Sequence, residues 1–158
     1  MPQTHHRSHQ WSALAGYVVV VAVVAVVGEL AASSAKEIYA RLVQPSWAPP
    51  ASLFGPVWTV IYLTIAVSGW LYWRTDGETR DHGFYGVGLL LNLLWTPLFF
   101  AGGSYWLALV DIALLDIIVF VTIVLFARRT KPAALLLLPY LAWILYATSL
   151  NAAIIVLN

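Results

Sequence analysis

Three carboxylates, Glu29, Asp111 and Asp116, stand inside otherwise apolar sequence, and they are the first residues with a chemistry to account for. A charge at the centre of a membrane-spanning helix costs about 2.5–3.5 kcal/mol, so each needs a compensating role. Such a group can relay a proton or contact a ligand. Protonated or hydrogen-bonded, it can instead hold helices together. Glu29 shares a helical face with Ala22, Ala25, Ala32 and Ser33. Small residues on one face let another helix approach closely, so Glu29 is expected to point into a helix contact. Asp111 falls in the second turn of its apolar segment. Asp116 lies near the midpoint of the same segment, where a structural role, inside the bundle or at a dimer contact, is favoured.

A second set of residues is aromatic. Asn92, Trp95 and Phe99 recur at spacings of three and four, as do Tyr140, Trp143, Ala147 and Asn151, and so do Trp58, Tyr62, Ile65 and Gly69. Each set lies on one helical face. At 1.5 Å per residue, Trp58, Trp95 and Asn151 lie about 10 Å inside the same membrane boundary, with Asn92 and Trp143 somewhat deeper. Aromatics at matched depth on three helices describe an apolar pocket suited to a flat hydrophobic ligand with few polar groups. Any one stripe alone reads as core, or as the interfacial belt where Trp is enriched. Convergence puts the pocket on a level with that reading. No nucleophile–base pair, metal-ligand spacing or nucleotide loop accompanies these residues, and the chain has no cysteine for thiolate chemistry. His5, His6 and His9 cluster in a terminal segment expected to lack fixed geometry, so no metal site is expected there.

The elements that position these residues are membrane spans. With 61% hydrophobic and 9% charged residues and a mean hydropathy of +0.83, the chain departs from soluble composition. Apolar stretches at roughly 11–33, 52–74, 84–102, 105–127 and 133–157 each reach the approximately 20 residues needed to span a bilayer. Residues 1–10 form a polar, flexible tail. The first span has features of a secretory leader (Arg7 before it, Ser33-Ser34-Ala35 after it), but its length and continuation argue against one. Short connections make neighbours antiparallel, so the expected fold is all-α: one domain over 1–158, an integral membrane bundle of five transmembrane helices. Pro45, Pro49 and Pro50 predict a stiff non-helical lead-in to the second span, with Pro56 marking a kink or weak first turn. Threaded by Trp47, Phe54 and Trp58, this stretch reads as a fixed lid beside the pocket.

Charge sets the expected orientation. Arg7, Arg74, Arg80, Arg128, Arg129 and Lys131 fall on one side, Lys36 and Arg41 on the other. The excess places the N-terminus in the cytoplasm of a prokaryotic plasma membrane, with the lid outside. No basic patch with nucleic-acid spacing occurs, so nucleic acid is not an expected partner.

Pro45-Ser-Trp47-Ala-Pro49-Pro50, Gly55-Pro56-Val-Trp58, Leu91-Asn92-Leu-Leu-Trp95-Thr-Pro97-Leu-Phe99-Phe100, Ala108-Leu-Val-Asp111 and Pro139-Tyr140-Leu-Ala-Trp143, followed by Ala147-Thr-Ser-Leu150-Asn151, closely resemble the translocator protein (tryptophan-rich sensory protein) family. The resemblance runs through all five spans in order. It implies a five-helix bundle, often a homodimer in membrane lipid, that binds porphyrins such as protoporphyrin IX and haem as ligands, without an obligatory cofactor. The ligand pocket it implies comprises Trp58, Asn92, Trp95, Phe99, Trp143, Ala147 and Leu150, with Pro49 and Pro50 in the lid. Asn151 matches a position that contributes to helix packing near the pocket. The cholesterol motif of animal members is absent from Asn151-Ala-Ala-Ile-Ile-Val-Leu-Asn158, and Asp116 departs from the family pattern. Three functions follow as expectations: a tetrapyrrole receptor or carrier; an enzyme-like light- and oxygen-dependent breakdown of porphyrin involving Trp58 and Trp143; or a small transporter using Glu29 and Asp111.

Overall fold

The computed structural model describes the backbone of residues 3–31 and 34–158, and side chains for residues 10–30 and 34–158. Its described elements are helices: α1 (Gln3–Ala31), α2 (Ala35–Arg41), α3 (Phe54–Trp73), α4 (Thr79–Thr96), α5 (Tyr105–Ala127), α6 (Lys131–Leu136) and α7 (Leu138–Leu157). A 3₁₀ turn at Ala51–Leu53 leads into α3, and a π turn at Pro97–Ala101 follows α4. Five stretches are long and apolar enough to cross a bilayer: Gln10–Leu30, Ala51–Trp73, Thr79–Ala101, Tyr105–Ala127 and Lys131–Leu157. The protein is an integral membrane protein with the expected five-helix, all-α architecture.

The helices close into a ring. α1 packs on α3 and α4, α4 on α5, α5 on α6 and α7, and α3 on α6 and α7. Ile65, Leu115, Phe126 and Ile144 are almost fully enclosed at its centre. Lipid gives apolar side chains little reason to leave it, so such a bundle depends on close packing and interhelical hydrogen bonds. Gly69 shows the first: a Cβ there would stand 2.8 Å from the rings of Tyr17 and Tyr85. Tyr85 and Ser68 supply the second. The Tyr85 hydroxyl donates to the Ile65 carbonyl at 2.9 Å, and the Ser68 hydroxyl to the Ala133 carbonyl at 2.7 Å.

Prolines decide several boundaries. Pro56 sits in the first turn of α3, where its missing N–H costs nothing. Pro97 cannot donate and would clash with the carbonyl four residues back, so α4 gives way to a wider π turn. Gly103, at φ +57, then reverses the chain.

Three expectations are corrected. The helix of the first span begins at Gln3 rather than after a flexible 1–10 tail, since nothing in Gln3–Gln10 interrupts a helix. The side chains of His5, His6 and His9 lie outside the described residues, as do Ala32 and Ser33. The connection to α3 contains a helix, α2, before its proline-rich part. Glu29 is exposed, on the outward side of α1. The inward face is carried instead by Tyr17, Val21 and Val24, which pack with the core, while Gly28 faces the Tyr62 hydroxyl.

At the end opposite the lid, Tyr72 is fully buried, stacks on Phe126 at 3.9 Å, and donates its hydroxyl to Asp81 at 2.5 Å. Arg80, itself largely exposed, lies 3.1 Å from the same carboxylate and completes an anchor for the α3–α4 loop.

Candidate functional site

The lid is residues 42–53, following α2. Its backbone carbonyls are held from three directions. The Tyr39 hydroxyl donates to Pro49 at 3.0 Å, and the Tyr146 hydroxyl donates to Trp47 at 2.8 Å. The Asn158 amide pairs with Val43 both ways, accepting from its N–H at 3.0 Å and donating to its carbonyl at 3.1 Å. Pro49 is buried and Pro50 exposed, so only the first faces inward. Burial pushes the Tyr39 phenol above its ordinary value of 10.0, so it keeps the proton it donates.

Beneath the lid is a wall of rings drawn from α3, α4, the π turn and α7. Phe54 meets Trp143 edge-on at 5.9 Å, and Trp143 lies 5.7 Å from Tyr146. Trp58 stacks on Tyr62 at 5.2 Å and meets Tyr140 edge-on at 6.3 Å. Trp95 stacks on Phe99 at 5.0 Å, and Phe99 touches Tyr105 at 4.9 Å. Trp58, Trp95, Trp143 and Ala147 pack in the main core, whereas Phe99 and Leu150 form a second cluster with Tyr39 and Ala108. Trp95 and the neighbouring rings join the two. The residues expected to line one pocket are therefore contiguous, and their rings occupy the space between the helices.

Polar groups fix the wall at defined points. The Tyr62 hydroxyl donates to Asn92 at 3.0 Å, linking α3 to α4. Asn151 accepts from the Trp95 indole at 3.3 Å and donates to the Tyr105 carbonyl at 3.0 Å, tying α4, α5 and α7 at one depth. Thr148 donates to Asp116 at 2.8 Å, supplying the hydrogen bond that this carboxylate was expected to need. Asp111 is 7% exposed, and its Oδ2 has no hydrogen-bond partner among the described residues.

Sequence reasoning did not select Tyr39, Tyr146, Thr148 or Asn158 as site residues. Tyr146 follows Trp143 by three positions and was within reach of the same periodicity. Tyr39 and Asn158 act through contacts that no local pattern announces.

Known proteins resemble this chain over most of its length. Residues 17–157 match the TspO/MBR family. The chain is 42% identical over 125 residues to the tryptophan-rich protein TspO of Chlorobaculum tepidum, covering 76% of this chain and 78% of that one. It is 43% identical over 129 residues to the tryptophan-rich protein TspO of Archaeoglobus fulgidus, covering 80% and 84%. It is also 37% identical over 118 residues to the translocator protein of Homo sapiens, covering 72% and 70%. Similarity on this scale, running through all five spans, makes the chain a member of the TspO/MBR family.

Proposed function

We propose that this protein is a membrane receptor or carrier for tetrapyrroles such as protoporphyrin IX and haem, acting as a homodimer in a prokaryotic plasma membrane. The observation that carries the reading is the wall formed by Trp58, Trp95, Phe99 and Trp143 under a tethered proline lid. Flat rings edged by few polar groups suit a planar, largely apolar ligand. Ala147 is the small residue on the α7 face of this wall, and it is buried there, as is Leu150.

The test is a titration of the purified protein with protoporphyrin IX, followed by tryptophan quenching. Ala147→Phe is expected to weaken binding by roughly 5- to 150-fold, the equivalent of about 1–3 kcal/mol of overpacking. Trp58→Ala and Trp143→Ala should weaken it as well. Substitutions at Val19 and Ile117, both on the outward surface, should not. Unchanged affinity in all three site variants, with each protein folded, would remove the ligand from this wall. Illumination in air separates the second reading, to which Trp58 and Trp143 give substance by sharing the wall. Loss of the porphyrin spectrum that depends on both residues would assign breakdown rather than carriage.

A further inference from the structure

Tyr146 belongs to the site and to the lid at once. Its ring lies 5.7 Å from Trp143 in the wall and 5.7 Å from Trp47 in the lid, and its hydroxyl donates to the Trp47 carbonyl at 2.8 Å. Three turns further along α7, Asn158 pairs with both backbone groups of Val43, and its amide also donates to the Ile154 carbonyl at 3.0 Å, which sets its rotamer. Two attachments, about four positions apart along the lid, thus come from the helix that carries Trp143, Ala147 and Leu150. The third tie, Tyr39 to Pro49, comes from α2, on the lid's own side of the chain, and would travel with it.

From this geometry we propose that Tyr146 and Asn158 are positioning residues, two latches on α7 whose release limits passage of ligand into and out of the site. The proposal rests on the tetrapyrrole reading for its ligand, but the latch itself is a property of the unliganded protein. Each latch is made of neutral hydrogen bonds on the surface side of the lid. Such bonds are individually modest, so they release on the timescale of loop motion rather than of unfolding. The lid has its own internal turn, in which the Ala48 N–H donates to the Pro45 carbonyl at 2.9 Å, and this turn is expected to loosen when the latches release, exposing that amide to exchange. A latch present in the closed state with and without ligand changes the rates of entry and exit together and leaves their ratio nearly untouched.

The experiment has two arms. In the first, hydrogen exchange at the Ala48 and Leu53 amides is measured without ligand in wild type, Tyr146→Phe, Asn158→Ala and the double variant. Tyr146→Phe retains the ring packing and removes only the hydroxyl. Tyr146→Phe should speed exchange by about 3- to 10-fold, as expected for the loss of one neutral hydrogen bond, Asn158→Ala, which loses two, by about 10- to 100-fold, and the double variant by roughly the product. Ser149→Ala, which removes an exposed hydroxyl bonded only to its own helix at Leu145, should have no effect. In the second arm, stopped-flow quenching with protoporphyrin IX should show association and dissociation rates rising together by a similar factor, with Kd within about twofold. General destabilisation would instead lower Tm and leave the two rates uncorrelated. Unaltered lid exchange in the folded double variant overturns the latch whatever the porphyrin does. Absence of porphyrin binding to wild type overturns the function proposed above and leaves the exchange arm to decide the latch. Faster lid exchange with unchanged porphyrin rates would show that ligand enters elsewhere, and overturns the gating role.

Discussion

Asp116 is the residue whose presence most needed a physical reason, and Thr148 supplies it. A hydroxyl on α7 donates to one oxygen of the carboxylate on α5, while Oδ1 has no partner among the described residues. One donor is scant compensation for a carboxylate at this depth in the membrane. Asp116→Asn keeps an acceptor for Thr148 and removes the burden of neutralisation. It should leave porphyrin affinity unchanged and shift stability by no more than about 1 kcal/mol, or about 2–4 °C in Tm. A loss of binding in the folded variant would move Asp116 into the ligand's reach. The need for a partner was legible in the sequence, because burial of a carboxylate demands one. Which residue answers it was not, because Thr148 lies 32 positions away and only the α5–α7 contact brings it near. Glu29 shows the opposite case. Its small neighbours fixed a face of α1, but helical periodicity alone cannot say which of several apolar faces turns inward.

The apolar segments set the number, order and approximate limits of the spans, because a bilayer demands a minimum apolar length. Their ends were harder to place. α4 begins at Thr79, in polar sequence, because Asp81 is drawn into the anchor with Tyr72 and Arg80. That contact also explains Gly77 in the preceding loop: a Cβ there would overlap the Tyr72 ring. Gly77→Ala should therefore destabilise the protein by about 1–3 kcal/mol, the usual range for overpacking, read as a fall in Tm. Gly83, whose Cβ position is open, is the matching control and should tolerate alanine with little loss. Equal losses at the two positions would mean that backbone freedom, not the Tyr72 ring, sets the requirement for glycine.

Six of the eight cationic residues were assigned to one end of the bundle, and contacts agree that those ends lie together: the Trp70 indole donates to the Gln10 carbonyl at 3.0 Å, and Arg129 reaches Glu78 at 3.4 Å. From the positive-inside tendency we propose that this end faces the cytoplasm. The absence of native cysteine makes the test direct. A membrane-impermeant thiol reagent applied to intact cells should label Ser46→Cys and not Thr130→Cys. Labelling at Thr130→Cys alone would invert the molecule. The wall of rings has a further consequence at this scale. Trp58 touches both Tyr62 and Tyr140, and Trp143 touches both Phe54 and Tyr146. If the proposed ligand enters this wall, it must replace ring–ring contacts with ring–ligand contacts, and a receptive form with parted rings would then be a minor species at rest. Measured affinity is then the intrinsic affinity reduced by the fraction of molecules in that form. At about 1% receptive the apparent Kd is weakened roughly a hundredfold, and anything that parts the rings in advance tightens binding without adding a single contact to the ligand.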